Sequence, residues 1–204
     1  MTTNDDMREA IRVSHQQTAI LAFLVYALLQ VYVSCTTNIA VAEEETMTLS
    51  ITSAAFEEGG SIPAVYTCEG DDISPPLSFS GVPEAAQTLV LIVDDPDAPD
   101  PKAPQTTWAH WVLYNIPVAV SGMVEDTARH GLSPGASEGK NDWGRIGYGG
   151  PCPPIGRHRY FHKLYALDVK LPDLQAPTKT ELERAMQGHV LATASLIGTY
   201  QKSR

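Results

Sequence analysis

The sequence predicts a mainly β protein: a β-sandwich of Greek-key type with one or two short helices near its C-terminal part. About seven short segments have the apolar patterns of strands, and turn signals separate them. Proline and glycine occur 15 times each among the 204 residues, which is typical of a turn-rich β protein. An N-terminal hydrophobic helix, interpreted as a signal segment, precedes this fold.

Four strands are predicted in the first half of the domain. Residues 47–52 alternate between apolar and polar and indicate an edge strand, and residues 77–79 form a short strand before a turn. Residues 88–93 are continuously apolar, as in a strand that is buried on both faces. We expect this strand to stop at residues 94–99, because their sequence, DDPDAP, is one that a strand does not continue through. Residues 108–116 are the next strand.

The second half is predicted to contain a long loop region, two strands and a helix. Residues 121–157 are rich in glycine, serine and asparagine and are interpreted as loops, and residues 159–168 alternate as a strand. A helix is predicted over residues 180–187, since its first four residues match a capping box and Gly188 suits the position after its end. Residues 190–202 are interpreted as a strand, with a longer helix as the competing interpretation.

The N-terminal region has the pattern of a targeting segment. Residues 18–33 form an apolar run that is short for a membrane span of about 20 residues, and residues 40–42 match a small-x-small cleavage site. We therefore predict a signal peptide over residues 1–42 and one domain over residues 43–204. Lipidation at Cys35 and retention as a membrane anchor are the alternatives. The predicted location is periplasmic or secreted in a bacterium, or membrane-anchored and facing the periplasm.

Charge and cysteine content narrow the classes of ligand. The formal net charge is −10 and no run of basic residues occurs, so binding to nucleic acid is not expected. No cysteine–histidine spacing fits a zinc site, and we expect neither a metal nor a cofactor. Two cysteines follow the targeting segment, Cys68 and Cys152. They form one disulfide in an oxidising compartment, or remain two half-buried free thiols, and the sequence favours neither.

A proline- and glycine-rich loop over residues 149–157 is the most informative local feature. Proline fixes φ and glycine allows close approach of a ligand, so such a loop is rigid and presents little side-chain bulk. It leads directly into His158, Arg159 and Tyr160, whose side chains suit recognition of a small anion. The alternative interpretation is a turn that enters a strand, with His158 and Tyr160 as an edge-strand aromatic pair.

Other polar segments could complete a site. Asp95 and Asp97 could hold a histidine or a ligand hydroxyl, or form an Asx-turn. Trp108 and His110 lie on the same face of a strand by its period of two, as a pocket wall or as a core tryptophan beside a satisfied histidine. Residues 141–144 could be an ordered lid or only a turn. A pocket at one end of a sandwich would collect these segments.

The ordered set of motifs resembles the phosphatidylethanolamine-binding protein family, and most closely its bacterial branch, the Raf-kinase-inhibitor-like proteins. The resemblance covers residues 47–202. It implies a β-sandwich with a small pocket that accepts phosphate-type anions and phospholipid head groups. The ligand-binding residues it implies are Asp95, Asp97, Trp108, His110, Gly150, Pro153, Pro154, His158 and Tyr160.

The expected function is non-enzymatic binding of a small anionic or phosphorylated ligand. His158, His110 and Tyr160 would donate to the anion, and Asp95 would orient a histidine and help to keep it protonated. A role as an extracytoplasmic inhibitor or modulator that contacts another protein is the first alternative, and a homodimer is left open. A weak hydrolase is the second alternative, although no GxSxG motif occurs and Cys152 has no adjacent base in the sequence.

Overall fold

A computed structural model describes residues 48–203, which form two antiparallel β-sheets and two short helices. The predictions on the targeting segment lie outside the described residues. The bounds of the strands and helices are β1 (Ser50–Thr52), β2 (Leu77–Ser80), β3 (Thr88–Ala98), β4 (Thr106–Pro117), β5 (Gly122–Met123), α1 (Thr127–His130), β6 (Ser137–Glu138), β7 (His158–Leu167), α2 (Lys179–Met186) and β8 (Val190–Tyr200). The predicted mainly β fold with one or two short helices is confirmed.

The larger sheet has the strand order β6-β4-β3-β7-β8, and the smaller sheet has the order β1-β2-β5. In the larger sheet β7 returns after a long connection to lie beside β3, as the fourth strand of a Greek key does. Apolar side chains from both sheets form one core cluster. A second cluster lies on the other face of the larger sheet, where α2 packs against it.

Strand β3 is the centre of the fold. Leu89, Leu91 and Val93 belong to the core cluster that the two sheets share, and Val90 and Ile92 belong to the cluster beneath α2. A strand with apolar layers on both faces needs an unbroken apolar sequence. The prediction that residues 88–93 are buried on both faces is therefore confirmed.

The prediction that this strand stops at residues 94–99 is wrong, since β3 continues to Ala98. Its pairing with β7 ends at Asp94, and its register with β4 is irregular between Asp95 and Ala98. Pro96 therefore lies where the ladder is already interrupted, which is where a strand tolerates proline. As a consequence, Asp95 and Asp97 project from a strand end rather than from a free loop.

Other predictions need smaller corrections. Residues 121–157 are mostly loops as predicted, but they also contain β5, α1 and β6. Residues 190–200 form a strand, so the helical alternative is wrong. The even-numbered side chains of this strand, β8, such as Leu196 and Tyr200, face the core as the alternation indicated.

Helix α2 begins one residue before the predicted start, at Lys179, and its cap lies two residues before the predicted cap. The capping box is formed by Thr178 and Glu181: the Thr178 hydroxyl accepts from the Glu181 amide, and the Glu181 carboxylate accepts from the Thr178 amide. The sequence offers the same spacing again at Thr180, which was wrongly taken as the cap. Gly188 has a φ of +83° and follows the helix end as predicted. No helix in residues 48–203 is long and apolar enough to cross a membrane.

The sequence left open whether the two cysteines of the domain form a disulfide or remain free thiols, and the structure decides between them. Cys68 and Cys152 form a disulfide with a Cα–Cα distance of 5.4 Å, and they are 84 residues apart in the chain. The Cys68 amide also donates to the carbonyl oxygen of Pro151. The proline-rich loop is thus held against the segment that follows the short 3-10 turn Ala64–Tyr66.

Replacing both cysteines with serine is expected to lower the free energy of unfolding by about 2–5 kcal/mol, because the cross-link restricts a long loop in the unfolded chain. Chemical denaturation measures this loss. Reduction of the wild type should produce the same loss, while the reductant should leave the double variant unchanged. A wild-type unfolding midpoint that does not respond to reduction would contradict the prediction.

Candidate anion-binding pocket

A cavity of about 210 Å³, called here the anion pocket, lies where the end of β3 meets β4 and the start of β7. The proline-rich loop and the turn that carries Trp143 close its remaining sides. Its lining residues are Asp95, Ala98, Pro99, Trp108, His110, Trp143, Cys152, Pro153, Pro154 and His158.

Six of the nine residues predicted for ligand binding line this cavity. They come from four separate segments of the chain and are Asp95, Trp108, His110, Pro153, Pro154 and His158. The other three, Asp97, Gly150 and Tyr160, lie next to it without lining it. The predicted convergence of distant segments is therefore present, whereas ligand contact by any of these residues stays a prediction.

His158 and Asp95 form a buried pair. The Nδ1 atom of His158 lies 2.7 Å from a carboxylate oxygen of Asp95, and its Nε2 atom lies 2.9 Å from the Ile155 carbonyl oxygen. Both ring nitrogens face oxygen atoms. Both contacts are hydrogen bonds when each ring nitrogen carries a proton, or when Asp95 carries a proton that it donates to Nδ1 while Nε2–H donates to the carbonyl oxygen. Either arrangement leaves the pair electrically neutral. Burial raises the pKa of Asp95, which favours retention of this shared proton.

The expected donation from His158 to a ligand is not available in this geometry. Both of its nitrogens are engaged, so donation would require the ligand to displace the Ile155 carbonyl. His158 instead neutralises Asp95, and its contact with the Ile155 carbonyl oxygen holds the end of the proline-rich loop in place. Asp95 does orient a histidine, as the sequence suggested.

His110 is buried and neutral at pH 7. Its pKa is lowered to about 4, because burial penalises the charged ring more than hydrogen bonding to the Gly149 and Gly150 backbone favours it. The Nδ1–H group donates to the Gly149 carbonyl oxygen at 2.6 Å. In this tautomer Nε2 is an acceptor. His110 therefore suits a ligand group that carries a proton, such as the hydroxyl of a monoprotonated phosphate.

Two buried donors have no hydrogen-bond partner within residues 48–203: the indole N–H of Trp108, which lines the pocket, and the hydroxyl of Tyr160, which lies beside it. The Tyr160 ring packs edge-on against His110 at 5.1 Å and stacks with His158 at 6.5 Å, measured between ring centroids. Burial raises the pKa of Tyr160, so its O–H group is kept. A buried unpaired donor costs about 1–3 kcal/mol, and such groups in folded proteins require an explanation.

Asp97 has a structural role at this strand end. Its two carboxylate oxygens accept from the Arg159 side chain at 2.7 and 2.9 Å, and one of them also accepts from the Arg159 amide. The Arg159 hydrogen bonds lower the pKa of Asp97. The Asp97 amide in turn donates to the Asp95 carboxylate, as in the Asx-turn that the sequence left open.

Gly150 shapes the loop rather than lining the cavity. Its amide donates to the Asp72 carboxylate at 2.6 Å, and a Cβ at this position would collide with the backbone of Tyr66 and Thr67. Only glycine lets the proline-rich loop lie this close to the preceding segment.

Sequence reasoning missed four lining residues: Ala98, Pro99, Trp143 and Cys152. Ala98 and Pro99 reach the pocket because β3 is longer than predicted, and a cis peptide bond joins them. The signal for Trp143 was present but ambiguous, since residues 141–144 were left as a lid or a turn.

Those residues form an ordered turn. The Asn141 side-chain oxygen accepts from the amides of Trp143 and Arg145, and Asp142 exchanges two hydrogen bonds with Ala109 of β4. This arrangement places the Trp143 ring against His110 at 5.0 Å between ring centroids.

Comparison with known proteins supports the resemblance. A family model described as phosphatidylethanolamine-binding protein matches residues 52–201. This chain belongs to the phosphatidylethanolamine-binding protein family. It is 48% identical over 155 residues to a UPF0098 protein of Methanothermobacter thermautotrophicus, and 49% identical over 154 residues to one of Chlamydia trachomatis. Each alignment covers 76% of this chain and 99% of the relative.

Two solved structures of the phosphatidylethanolamine-binding protein family share the fold. A family homologue from Chlamydia trachomatis superposes with a TM-score of 0.70 at 48% identity, covering 77% of this chain and 99% of the homologue. YbcL from Escherichia coli, described as a new member of the mammalian family, superposes with a TM-score of 0.69 at 31% identity, covering 76% of this chain and 99% of YbcL. The family fold thus extends over the described domain.

Replacement of Asp97 by asparagine is expected to destabilise the protein by about 1 kcal/mol at pH 7, a value discounted because Arg159 is half exposed. The folded-state pKa of Asp97 is lowered, so its stabilisation is present above about pH 4 and is lost as the pH falls below that value. Chemical denaturation of the wild type and the Asp97→Asn variant, from neutral to acid pH, should show that the difference between their free energies of unfolding narrows below about pH 4.

The matched control is Asp168→Asn, which removes a carboxylate from an exposed pair with His189. This change should cost well under about 1 kcal/mol. An Asp97→Asn protein that is as stable as the control at pH 7 would show that the pair does not hold the strand end.

Proposed function

We propose that the protein binds a small phosphate-type anion, free or as the head group of a phospholipid, in the anion pocket and outside the cytoplasm. The observation that carries this proposal is the pair of unpartnered buried donors, Trp108 Nε1 and the Tyr160 hydroxyl. An anion accepts strong hydrogen bonds from such groups, and the desolvated surroundings strengthen them.

Charge balance around the pocket supports binding of an anion. The formal net charge of the chain is −10, yet both carboxylates at this strand end are compensated: Asp95 by His158 and Asp97 by Arg159. An uncompensated carboxylate here would repel a negatively charged ligand. The pocket is therefore locally neutral within an acidic protein.

The size of the pocket limits the ligand. A volume of about 210 Å³ is below the usual range of about 300–1,000 Å³ for ligand sites. It accommodates a phosphate group with a few further atoms. A phospholipid would place only its head group inside, with the acyl chains left outside.

The arrangement of the polar groups argues for binding rather than hydrolysis. The outer nitrogen of His158 is bonded to a carbonyl group, so the histidine–carboxylate pair does not present a free base. Cys152 is in a disulfide and is not available as a nucleophile. These contacts support ligand binding without catalysis over the alternative of weak hydrolase activity.

Two further features bear on location and partners. The disulfide supports an extracytoplasmic location, since such bonds persist in oxidising compartments. Trp143 and Ile155 are exposed by 40% and 58% beside the pocket mouth. Exposed apolar groups at a binding site support the alternative role in which another protein outside the cytoplasm covers the mouth.

Removal of either unpartnered donor is expected to weaken the binding of phenyl phosphate about ten-fold, because a hydrogen bond to a charged group contributes about 1.5–3 kcal/mol. The variants are Trp108→Phe and Tyr160→Phe, which keep an aromatic ring in place, and calorimetry measures the affinity. Tyr165→Phe, on the outer face of β7, is the control and should bind as the wild type does. Unchanged affinity in both pocket variants would refute the proposed role of these donors.

Binding of phenyl phosphate is also expected to weaken as the pH rises through about 6, the second pKa of a phosphate monoester. The monoprotonated form offers a hydroxyl to the acceptor nitrogen Nε2 of His110, and the dianion does not. Calorimetry across this pH range measures the change. A sulfate monoester, which does not titrate there, is the control and should bind with little pH dependence, and an affinity for phenyl phosphate that does not fall would contradict the prediction.

A further inference from the structure

A second cavity of about 600 Å³ adjoins the anion pocket. The two cavities share Pro153 and Pro154, which form a common wall. The other sides of the second cavity come from the loop that carries Lys102 and from the C-terminal segment 201–203. A ligand that leaves the anion pocket over this proline wall enters the second cavity directly.

The walls of the second cavity are held in place. The amide and hydroxyl of Ser203 donate to the Glu69 carboxylate at 2.9 and 2.6 Å, and the Tyr200 hydroxyl donates to the same group. These bonds anchor the C-terminal segment. In the loop that faces this segment, the Lys102 amide donates to the Asp100 carboxylate. Gly156 lies so close to Pro101 that a Cβ added to Gly156 would be 3.1 Å from the proline ring.

The charges that line the second cavity favour an anion. Lys102 and Lys202 both line it, and neither forms a salt bridge with any residue in the described part of the chain. Asp100 is the one carboxylate in the lining, and one of its oxygens already accepts from the Lys102 amide. Glu69 accepts hydrogen bonds from the C-terminal segment, and these bonds from Ser203 and Tyr200, with a smaller contribution from Lys202, lower the pKa of Glu69 to about 2.

We infer that the second cavity binds a second negatively charged group of the same ligand. This inference rests on the proposed function: one phosphate-type group occupies the anion pocket, and the chain linking it to the other crosses Pro153 and Pro154. The ligand class is then a molecule with two anionic groups. The difference in size, about 210 Å³ against about 600 Å³, assigns the larger part of the ligand to the second cavity.

Alkane bisphosphates of increasing length, from propane to octane, test this inference when each is compared with its monophosphate by calorimetry. Some linker length should give a bisphosphate that binds about ten-fold more tightly than the monophosphate, since two exposed charge contacts contribute up to about 1 kcal/mol each. The gain should shrink with added salt. A Lys102→Gln/Lys202→Gln variant should lose the gain and keep the monophosphate affinity.

The matched control is Lys170→Gln/Arg184→Gln, which removes two exposed positive charges that line neither cavity. It should keep the full gain. If bisphosphates of every length bind no more tightly than monophosphates, or if the control loses the gain equally, the inference is wrong while the proposed function stands. If the wild type binds neither class of phosphate, the proposed function fails and the inference fails with it.

Discussion

Two charge pairs between the end of β3 and the start of β7 control the geometry of the pocket. Asp95 contacts His158 and Asp97 contacts Arg159, so two neighbouring carboxylates meet two neighbouring side chains across the sheet. Backbone pairing of β3 with β7 already ends at Asp94. Side-chain contacts therefore take the place of ladder hydrogen bonds to β7 beyond Asp94, while irregular pairing with β4 continues to Ala98. They tie the end of β3, which includes Pro96, to the start of β7.

These two pairs give the charged side chains at this strand end a structural role, and they leave the neutral donors of the pocket available to a ligand. His158 and Arg159 are adjacent in sequence and point to opposite faces of the strand, so His158 is buried with Asp95 whereas Arg159 is half exposed and holds a buried Asp97. Because both carboxylates are satisfied internally, the remaining donors are neutral groups. Under the proposed function, a neutral pocket lined by aromatic rings would select its ligand by hydrogen-bond geometry and size, because a protein of net charge −10 offers an anion no long-range attraction.

The sequence predicted what depends on local pattern. Burial of residues 88–93 on both faces and the shared face of Trp108 and His110 follow from strand periodicity, and the structure contains both. Resemblance implied what periodicity could not, namely that Asp95 and His158 belong to one pocket although 63 residues separate them; their direct contact was not predicted. The helix start was ambiguous because Thr178 and Thr180 each have a glutamate three residues later, and packing of Leu182 and Met186 accompanies the earlier start.

Other features depended on tertiary contacts that no local rule contains. Proline normally ends a strand, and β3 passes Pro96 at a point where its pairing with β7 has ended and its register with β4 is irregular. The hydrogen bond from His158 Nε2 to the Ile155 carbonyl oxygen depends on how the proline-rich loop folds back. The contribution of Trp143 likewise depends on the bonds between its turn and Ala109.

The unpartnered donors connect stability to binding. A buried indole N–H and a buried hydroxyl without acceptors each cost free energy, and a phenylalanine at either position would avoid that cost. Under the proposed function, a ligand that accepts from both groups would remove this penalty and so stabilise the folded state. It would act at the same end of the sheet that the disulfide and the two charge pairs hold together.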